Sequence, residues 1–338
     1  MLQLHSGPVK PPALLVSPAT PYPVVTNGCA RLISDYQSRM FPGYQVSFLL
    51  TRPGDWTPLQ LYGDGDLATL LGRSFAFVLF VGFKDTAFTR ELACRNPSFC
   101  LTDTYPHDDL PEGLFRGILT HRATASATGT DLLLVGGSYD ESVFFPDRRE
   151  EELVLSVGRI HPDKNQLELV RRYREAVYAR HGLPLLLVGG IVSHADSDYL
   201  RAVDGYVDGE AVLSSIDPAD PTGVASWRSA VDVAGLCNRA RCYVSAAPKE
   251  SFGMAMIEAM ACGTTCIVNG HYGGFSGADL RPHVYGNVDG PQGSIVDLID
   301  RALGDSVRID ASGWASRFSL AAVGGALNRF IDERLPST

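Results

Sequence analysis

Lysine is scarce in this chain of 338 residues: Lys10, Lys84, Lys164 and Lys249 are the only four among 29 basic side chains. Basic residues are also outnumbered by 38 acidic ones, for a formal charge of −9. The deficit is shared, with ten basic against fourteen acidic residues over 1–147 and nineteen against twenty-four over 148–338. Neither half is a basic platform, which disfavours nucleic acid and anionic lipid as partners. No apolar run approaches the ~18 residues that cross a bilayer. The first twelve residues lack the apolar core of a secretory signal, so a cytoplasmic location is expected. The seven cysteines are odd in number and scattered; free thiols in a reducing compartment fit them better than a disulfide framework. Cys262 and Cys266 have no second ligand pair, so no metal site is expected. Missing too are the dinucleotide G-x-G-x-x-G, the phosphate loop G-x4-G-K-[ST] and the G-x-S-x-G elbow, which removes most of the weight from dehydrogenase, P-loop NTPase and α/β-hydrolase readings.

What is present is ordinary for a soluble globular protein, with 45% apolar and 20% charged residues. The length suits two domains better than one core. Short apolar runs at 13–17, 44–50, 75–81, 98–101 and 131–135 read as strands, with a helix from about Cys29 to Met40. The second half alternates more cleanly. Strands are expected at 153–157, 185–188, 242–245 and 266–269, and helices at 166–181, 229–239 and 252–262, with 194–228 irregular. Alternation of this kind predicts parallel sheets covered on both faces. The expected architecture is α/β, two Rossmann-like doubly wound domains facing each other across a cleft. The first spans 1–147, joined by a C-terminal helix within 314–338, and the second spans 148–313. The charged stretch Ser138–Glu152 reads as the linker between them.

The strongest local signal is Lys249-Glu250-Ser251-Phe252-Gly253-Met254, continuing to Glu258 and Gly263. A strand ends near Ala246 and a helix is expected from Ser251, stopped by Gly263. The first amides of such a helix, Ser251 to Met254, lack intrahelical partners and suit a phosphate. Glu250 and Glu258 would lie on one side, one carboxylate accepting from sugar hydroxyls at the phosphate end and the other from a ribose. A second signal is Gly158-Arg159-Ile160-His161-Pro162-Asp163-Lys164. Here a strand ends in glycine, and the Arg159 fork and the Lys164 point charge follow within one turn, placed to neutralise a diphosphate. Gly189-Gly190 after a strand would let a flat group lie against the backbone. Asn27-Gly28 is either a phosphate or acceptor contact at a helix start or a simple turn. Asp103 and His107 either face a donor sugar or acceptor or stabilise a turn. The run His194–Asp198 reads as solvated acidic surface.

The two stretches SVGRIHPDKNQ (156–166) and ESFGMAMIEAMACG (250–263) resemble the donor domain of retaining GT-B glycosyltransferases of family 4. The resemblance is good from about 153 to 275 and vague over the first 147 residues. It implies two Rossmann-like domains and a nucleotide-diphospho-sugar donor of UDP or GDP type, with no other cofactor. It also implies transfer with retention and without a metal. Under it, Arg159 and Lys164 hold the diphosphate, Glu250 and the amides of Ser251, Phe252, Gly253 and Met254 hold sugar and phosphate, and Glu258 holds the ribose. The loop at Asn27-Gly28 has one glycine where the family usually has two, and the family's cleft histidine has no secure counterpart near Asp103–His107. The acidic first domain favours a soluble small-molecule or saccharide acceptor and no strong membrane binding. A non-catalytic nucleotide-sugar binder of the same fold is the alternative.

Overall fold

The computed structural model describes residues 10–19, 28–102, 110–120, 132–134, 137–147, 152–217, 219–220 and 228–336. The chain divides into two compact units: residues 1–136 with 320–338, and 137–319.

The first unit holds strands β1 (Pro12–Ser17), β2 (Gln45–Thr51), β3 (Pro58–Tyr62), β4 (Phe77–Val81), β5 (Ser98–Leu101), β6 (Gly117–Thr120) and β7 (Leu132–Leu134). They form one sheet in the order 3-2-1-4-5-6-7, parallel except for β3 at the edge. The apolar runs of its central strands are explained by burial on both faces. Ala13, Leu15, Phe48, Phe77 and Leu79 enter one core, while Leu14, Val16, Leu49, Val78 and Phe80 enter another. A period of two thus sends every second side chain to opposite layers. Helix α1 (Gly28–Asp35) passes directly into a wider π turn, Tyr36–Met40, where a single α-helix was expected. Helix α2 (Ala87–Arg95) starts on a Thr86/Thr89 capping box.

The second unit carries β8 (Leu153–Val157), β9 (Leu185–Val188), β10 (Val212–Ser214), β11 (Ala240–Ser245), β13 (Cys266–Asn269) and β15 (Tyr285–Asn287), in the order 10-9-8-11-13-15 and parallel throughout. A separate two-stranded ribbon pairs β12 (Lys249–Glu250) with β14 (His271–Tyr272). Its helices include α3 (Gln166–Arg171), α4 (Ser197–Asp204), α5 (Ala230–Arg239), α6 (Met254–Ala261) and α7 (Ile295–Gly304). Strand order reverses between β8 and β11. A ligand of such a sheet binds beyond the carboxyl ends of the strands at that switch point, and the loops after β8 and β11 are the two singled out by sequence.

The expected helix over 166–181 is interrupted: α3 stops at Arg171, and a wide turn at Arg174–Tyr178 follows. Tyr173 and Val177 are both fully buried across this break. The stretch expected to be irregular, 194–228, contains α4 and β10. The supposed linker also belongs to the second unit. Tyr139 and Phe144 are core residues there, Tyr139 N–H donates to the Phe318 carbonyl, and Asn238 Nδ2 donates to the Phe145 carbonyl. Its charges misled because they flank an aromatic pair that is buried. After Ser319 the chain contributes α8 (Leu320–Asp332) to the first unit, where Val323, Leu327, Phe330 and Ile331 join the core at helical spacing. No described helix is long and apolar enough to cross a membrane.

Candidate functional site

The loop after β8 is held by its own backbone and by its neighbour. Gly158 N–H donates to the Val188 carbonyl at 2.9 Å and Ile160 N–H to the Gly190 carbonyl at 2.8 Å, so the loops after β8 and β9 stay laced beyond the strands. Gly189 has φ +149°, and a Cβ there would stand 2.0 Å from the Gly158 oxygen. The space a side chain would take at Gly189 is thus filled by the Gly158 carbonyl. Gly190 is buried beside it.

Gln166 is buried and bridges the loop, its Nε2 donating to the Arg159 carbonyl at 2.7 Å and its Oε1 accepting from the His161 amide at 3.4 Å. His161 Nδ1 accepts the Asp163 N–H at 3.2 Å, capping the short turn Pro162–Lys164. Between these anchors Arg159 presents a guanidinium that is about one-third exposed and lies 3.8 Å from the Asp163 carboxylate. At that exposure the pair contributes little to stability, and the cation stays available to a ligand.

Lys164, at the other end of the turn, forms an ion pair with Glu250, 86 residues later in the chain. Their side chains are 28% and 16% exposed, so the pair is partly shielded from water while still reaching the surface. Glu250 is placed by the β12–β14 ribbon, in which it registers against Tyr272, and its carbonyl accepts the Gly273 N–H at 2.9 Å. Tyr272 is fully buried. Burial, and then the nearby Glu250 charge, push its phenol well above the ordinary tyrosine range. Tyr243 is raised in the same way, by burial and then by Tyr272 and Glu250. Both phenols therefore stay neutral, near enough to Glu250 to feel its charge.

Helix α6 begins at Met254, three residues later than expected. Gly253 is the reason: its φ of +85° makes it the cap, and a Cβ there would lie 2.7 Å from the Tyr272 ring. The Gly253 carbonyl accepts the first helical bond, from Ile257. The amides at the helix start that lack an intrahelical acceptor are thus those of Gly253, Met254, Ala255 and Met256. Ser251 is exposed ahead of the helix. Phe252 turns its ring inward against Phe275, with centroids 4.8 Å apart, and Phe318, at 5.3 Å, so it offers a ligand only backbone. Met254 is half-buried, with its sulfur against Gly137. Glu258, one of the helix's buried residues, is 5% exposed. Its charge contributes, after the Cys262 hydrogen bond and burial, to raising the Cys237 thiol. The helix ends as expected at Gly263, whose N–H and that of Thr264 return to the Met260 and Ala259 carbonyls.

Gly28 is the first residue of α1, whereas Asn27, Asp103 and His107 lie outside the described residues. The acidic run 194–198 is only partly solvated surface. Asp198 is exposed, but Asp196 is mostly covered, with its carboxylate 3.6 Å from His161 Nε2. Sequence reading quoted His161 and Gln166 within the motif but gave them no role, although their bonds hold that loop in shape; it passed over Tyr272, which acts through a contact with a distant segment. Among the described residues no group of three or more histidines, cysteines or carboxylates is placed to hold a metal ion. Cys94, Cys100, Cys237, Cys242, Cys262 and Cys266 are free thiols, all but Cys94 buried.

The family profile described as Glycosyl transferases group 1 matches residues 140–305. Those residues are a group 1 glycosyl transferase domain. The match begins and ends inside the second unit and contains both motif loops. The chain is also 28% identical over 214 residues to D-inositol 3-phosphate glycosyltransferase 2 of Catenulispora acidiphila; the match takes in 57% of this chain and 46% of that relative, so less than half of the relative's length is spanned. Among solved structures, a glycosyltransferase from Rickettsia africae superposes with a TM-score of 0.65 at 14% identity, covering 97% of this chain and 100% of its own. Alr3699/HepE of Anabaena, solved with UDP and glucose, gives 0.63 at 12% identity, over 96% and 100%. Sucrose-phosphate synthase of Thermosynechococcus elongatus gives 0.63 at 16%, over 96% and 99%. At these identities the likeness is one of fold: the group 1 domain is the second Rossmann-like unit of a GT-B architecture.

Proposed function

We propose that the protein is a retaining glycosyltransferase that moves a sugar from a UDP- or GDP-sugar to a soluble small-molecule or saccharide acceptor without a metal. The observation that carries this reading is the Lys164–Glu250 pair, which joins the two motif loops at the switch point of the second sheet. Lysine has three donors; Glu250 takes one and leaves two for phosphate oxygens. Arg159 adds a planar fork from the same loop, and the amides at the start of α6 add aligned dipoles.

In the reaction the bond between the anomeric carbon and the diphosphate oxygen breaks as negative charge builds on the diphosphate. Arg159, Lys164 and the α6 amides stabilise that charge where it develops. The acceptor oxygen attacks the face the diphosphate leaves, and its proton passes to the departing phosphate oxygen, so no protein nucleophile is consumed and the anomeric configuration is kept. Glu250 accepts hydrogen bonds from the sugar hydroxyls, and Glu258 from the ribose. The residue pattern of the two loops supports these roles. The low basic content of the first 147 residues supports a soluble acceptor over a lipid.

The test is direct. Arg159→Ala and Lys164→Ala are each expected to lower turnover by about two orders of magnitude, the scale of one lost charge-stabilising donor. EDTA is expected to leave the rate unchanged. A donor screen by thermal shift with UDP, GDP and their sugars identifies the base, because a ligand of the native state raises the melting temperature with concentration. Near-wild-type rates in both alanine variants would sink the assignment, and slow donor hydrolysis without acceptor separates a transferase from a silent binder.

A further inference from the structure

The segment His194 to Leu200, whose first five residues read as acidic surface, grips the loop that carries both cations. Helix α3 starts two residues after Lys164, and its cap residue, Asn165, sits at φ +55° and gives α3 no side-chain cap. The N–H of Leu167, the second residue of α3, is instead accepted by the Tyr199 hydroxyl at 3.1 Å. Tyr199 is half-buried, and burial raises its phenol, so it stays a neutral acceptor. One turn earlier, Asp196 stands 3.6 Å from His161 Nε2. Because His161 Nδ1 accepts the Asp163 amide, the neutral ring carries its hydrogen on Nε2, facing that carboxylate. Two residues of one short segment therefore touch the cation loop on either side of Lys164: His161 before it and Leu167 after it.

We propose that Tyr199 is a positioning residue for Lys164, fixing the start of α3 so that Lys164 meets the anion beside Arg159. The inference rests on the reading that these cations hold a nucleoside diphosphate. Its physical basis is that lysine ends a flexible four-carbon stem whose freedom is lost on binding. Anchoring the backbone at Leu167 fixes the point from which that stem starts, so the ammonium has less space to search before the ligand arrives. Phenylalanine at 199 would fill the same volume but leave the Leu167 donor without its acceptor.

The experiment is a double-mutant cycle read by calorimetric titration with UDP and GDP. Tyr199→Phe is expected to weaken the nucleotide that wild type binds by about five- to tenfold, the scale of one hydrogen bond. In the Lys164→Ala background the same change is expected to alter affinity by less than about twofold, because the residue it positions is gone. Hydrogen exchange at the Leu167 amide is expected to accelerate in Tyr199→Phe while exchange in the strands is unchanged. Asp196→Asn, which keeps Tyr199, should show the same dependence on Lys164 at about two- to threefold, and it decides the matter if Tyr199→Phe does not fold. Wild-type affinity in Tyr199→Phe, or an equal loss with and without Lys164, overturns the positioning role while leaving the proposed function standing. A wild-type protein that binds neither nucleotide removes the proposed function, and this inference falls with it.

Discussion

Lys164 and Glu250 illustrate why a charge pair in a site is not simply a stabilising contact. Both side chains are largely covered, at 28% and 16% exposure, so each needs the other while no ligand is present. An anion arriving beside them finds an ammonium already desolvated and oriented, which lowers the reorganisation needed on binding. The two partners have separable duties under the proposed mechanism. Glu250→Gln keeps the shape and one acceptor oxygen but removes the counter-charge. It is expected to leave UDP or GDP affinity equal to or tighter than wild type, while transfer falls by about two orders of magnitude, since sugar contact is lost in the transition state. Lys164→Ala is expected to do the converse at the binding step, weakening the free nucleotide as well as slowing turnover. Titration with the nucleotide alone, set beside steady-state rates, tells the two patterns apart. Equal loss of nucleotide affinity in both variants would contradict the division of roles. Tyr243 and Tyr272 stay neutral, because burial and the Glu250 charge both disfavour a phenolate there.

At the scale of elements, the site depends on two glycines whose missing side chains have identifiable occupants. Gly253 combines φ +85° with a Tyr272 ring 2.7 Å from where a Cβ would be, and Gly189 combines φ +149° with the Gly158 carbonyl at 2.0 Å. Gly253→Ala is expected to cost about 1–3 kcal/mol through backbone strain and overpacking and to weaken nucleotide binding by shifting the first α6 amides. Gly189→Ala is expected to cost more, because the obstructing atom is backbone and has no rotamer to yield. Chemical unfolding of both variants checks the order, and a Gly189→Ala protein as stable as wild type would refute the close approach. These glycines also show where sequence stopped being sufficient. Strands β5, β8, β9 and β13 were legible because parallel strands buried on both faces read as unbroken apolar runs. Strands β10 and β15 were not: each is a three-residue edge of the second sheet, too short for a period to declare itself. The edge strand β3 begins with Pro58 and is half-exposed, and the sequence reading places no strand there. The two motif loops were visible because each is a contiguous strand–turn–helix segment with its charged residues in place. That His161 meets Asp196, that Tyr272 sits against Gly253, and that α6 starts at Met254 are consequences of packing between distant segments, which no local spacing encodes.

At the scale of the whole molecule, the chain builds separate cores, and the last helix returns to the first of the two units after the second is complete. In that unit Phe330 of α8 lies against Gly117 and Phe99, with ring centroids 6.2 Å apart for the aromatic pair, and Asn328 Nδ2 donates to the Met40 carbonyl at 2.6 Å. Phe330→Ala is therefore expected to destabilise the first unit by about 3–5 kcal/mol. Scanning calorimetry should show its transition moving down while the transition of the unit that binds nucleotide stays in place and alone rises with added ligand. The same helix carries a pH-dependent tie. The Tyr44 hydroxyl donates to Asp332 Oδ1 at 2.6 Å, and burial, that hydrogen bond and the carboxylate's charge push its phenol up to about 12. Below pH 10 the phenol is protonated in folded and unfolded chains alike, so the stabilisation is fully present. Between pH 10 and about 12 the unfolded chain releases the proton while the fold retains it, and the contribution is progressively lost. Because Tyr44 is only half-buried, solvent screening limits the effect to about 1 kcal/mol or less. Other buried tyrosines are raised by burial too and release their protons in the unfolded chain over the same range, so the quantity to measure is the stability difference between wild type and Tyr44→Phe, followed by urea unfolding from pH 8 to 11.5. That difference should favour wild type below pH 10 and shrink above it; a difference that stays constant across the range would show that Tyr44 and Asp332 do not share a proton-bearing hydrogen bond in solution.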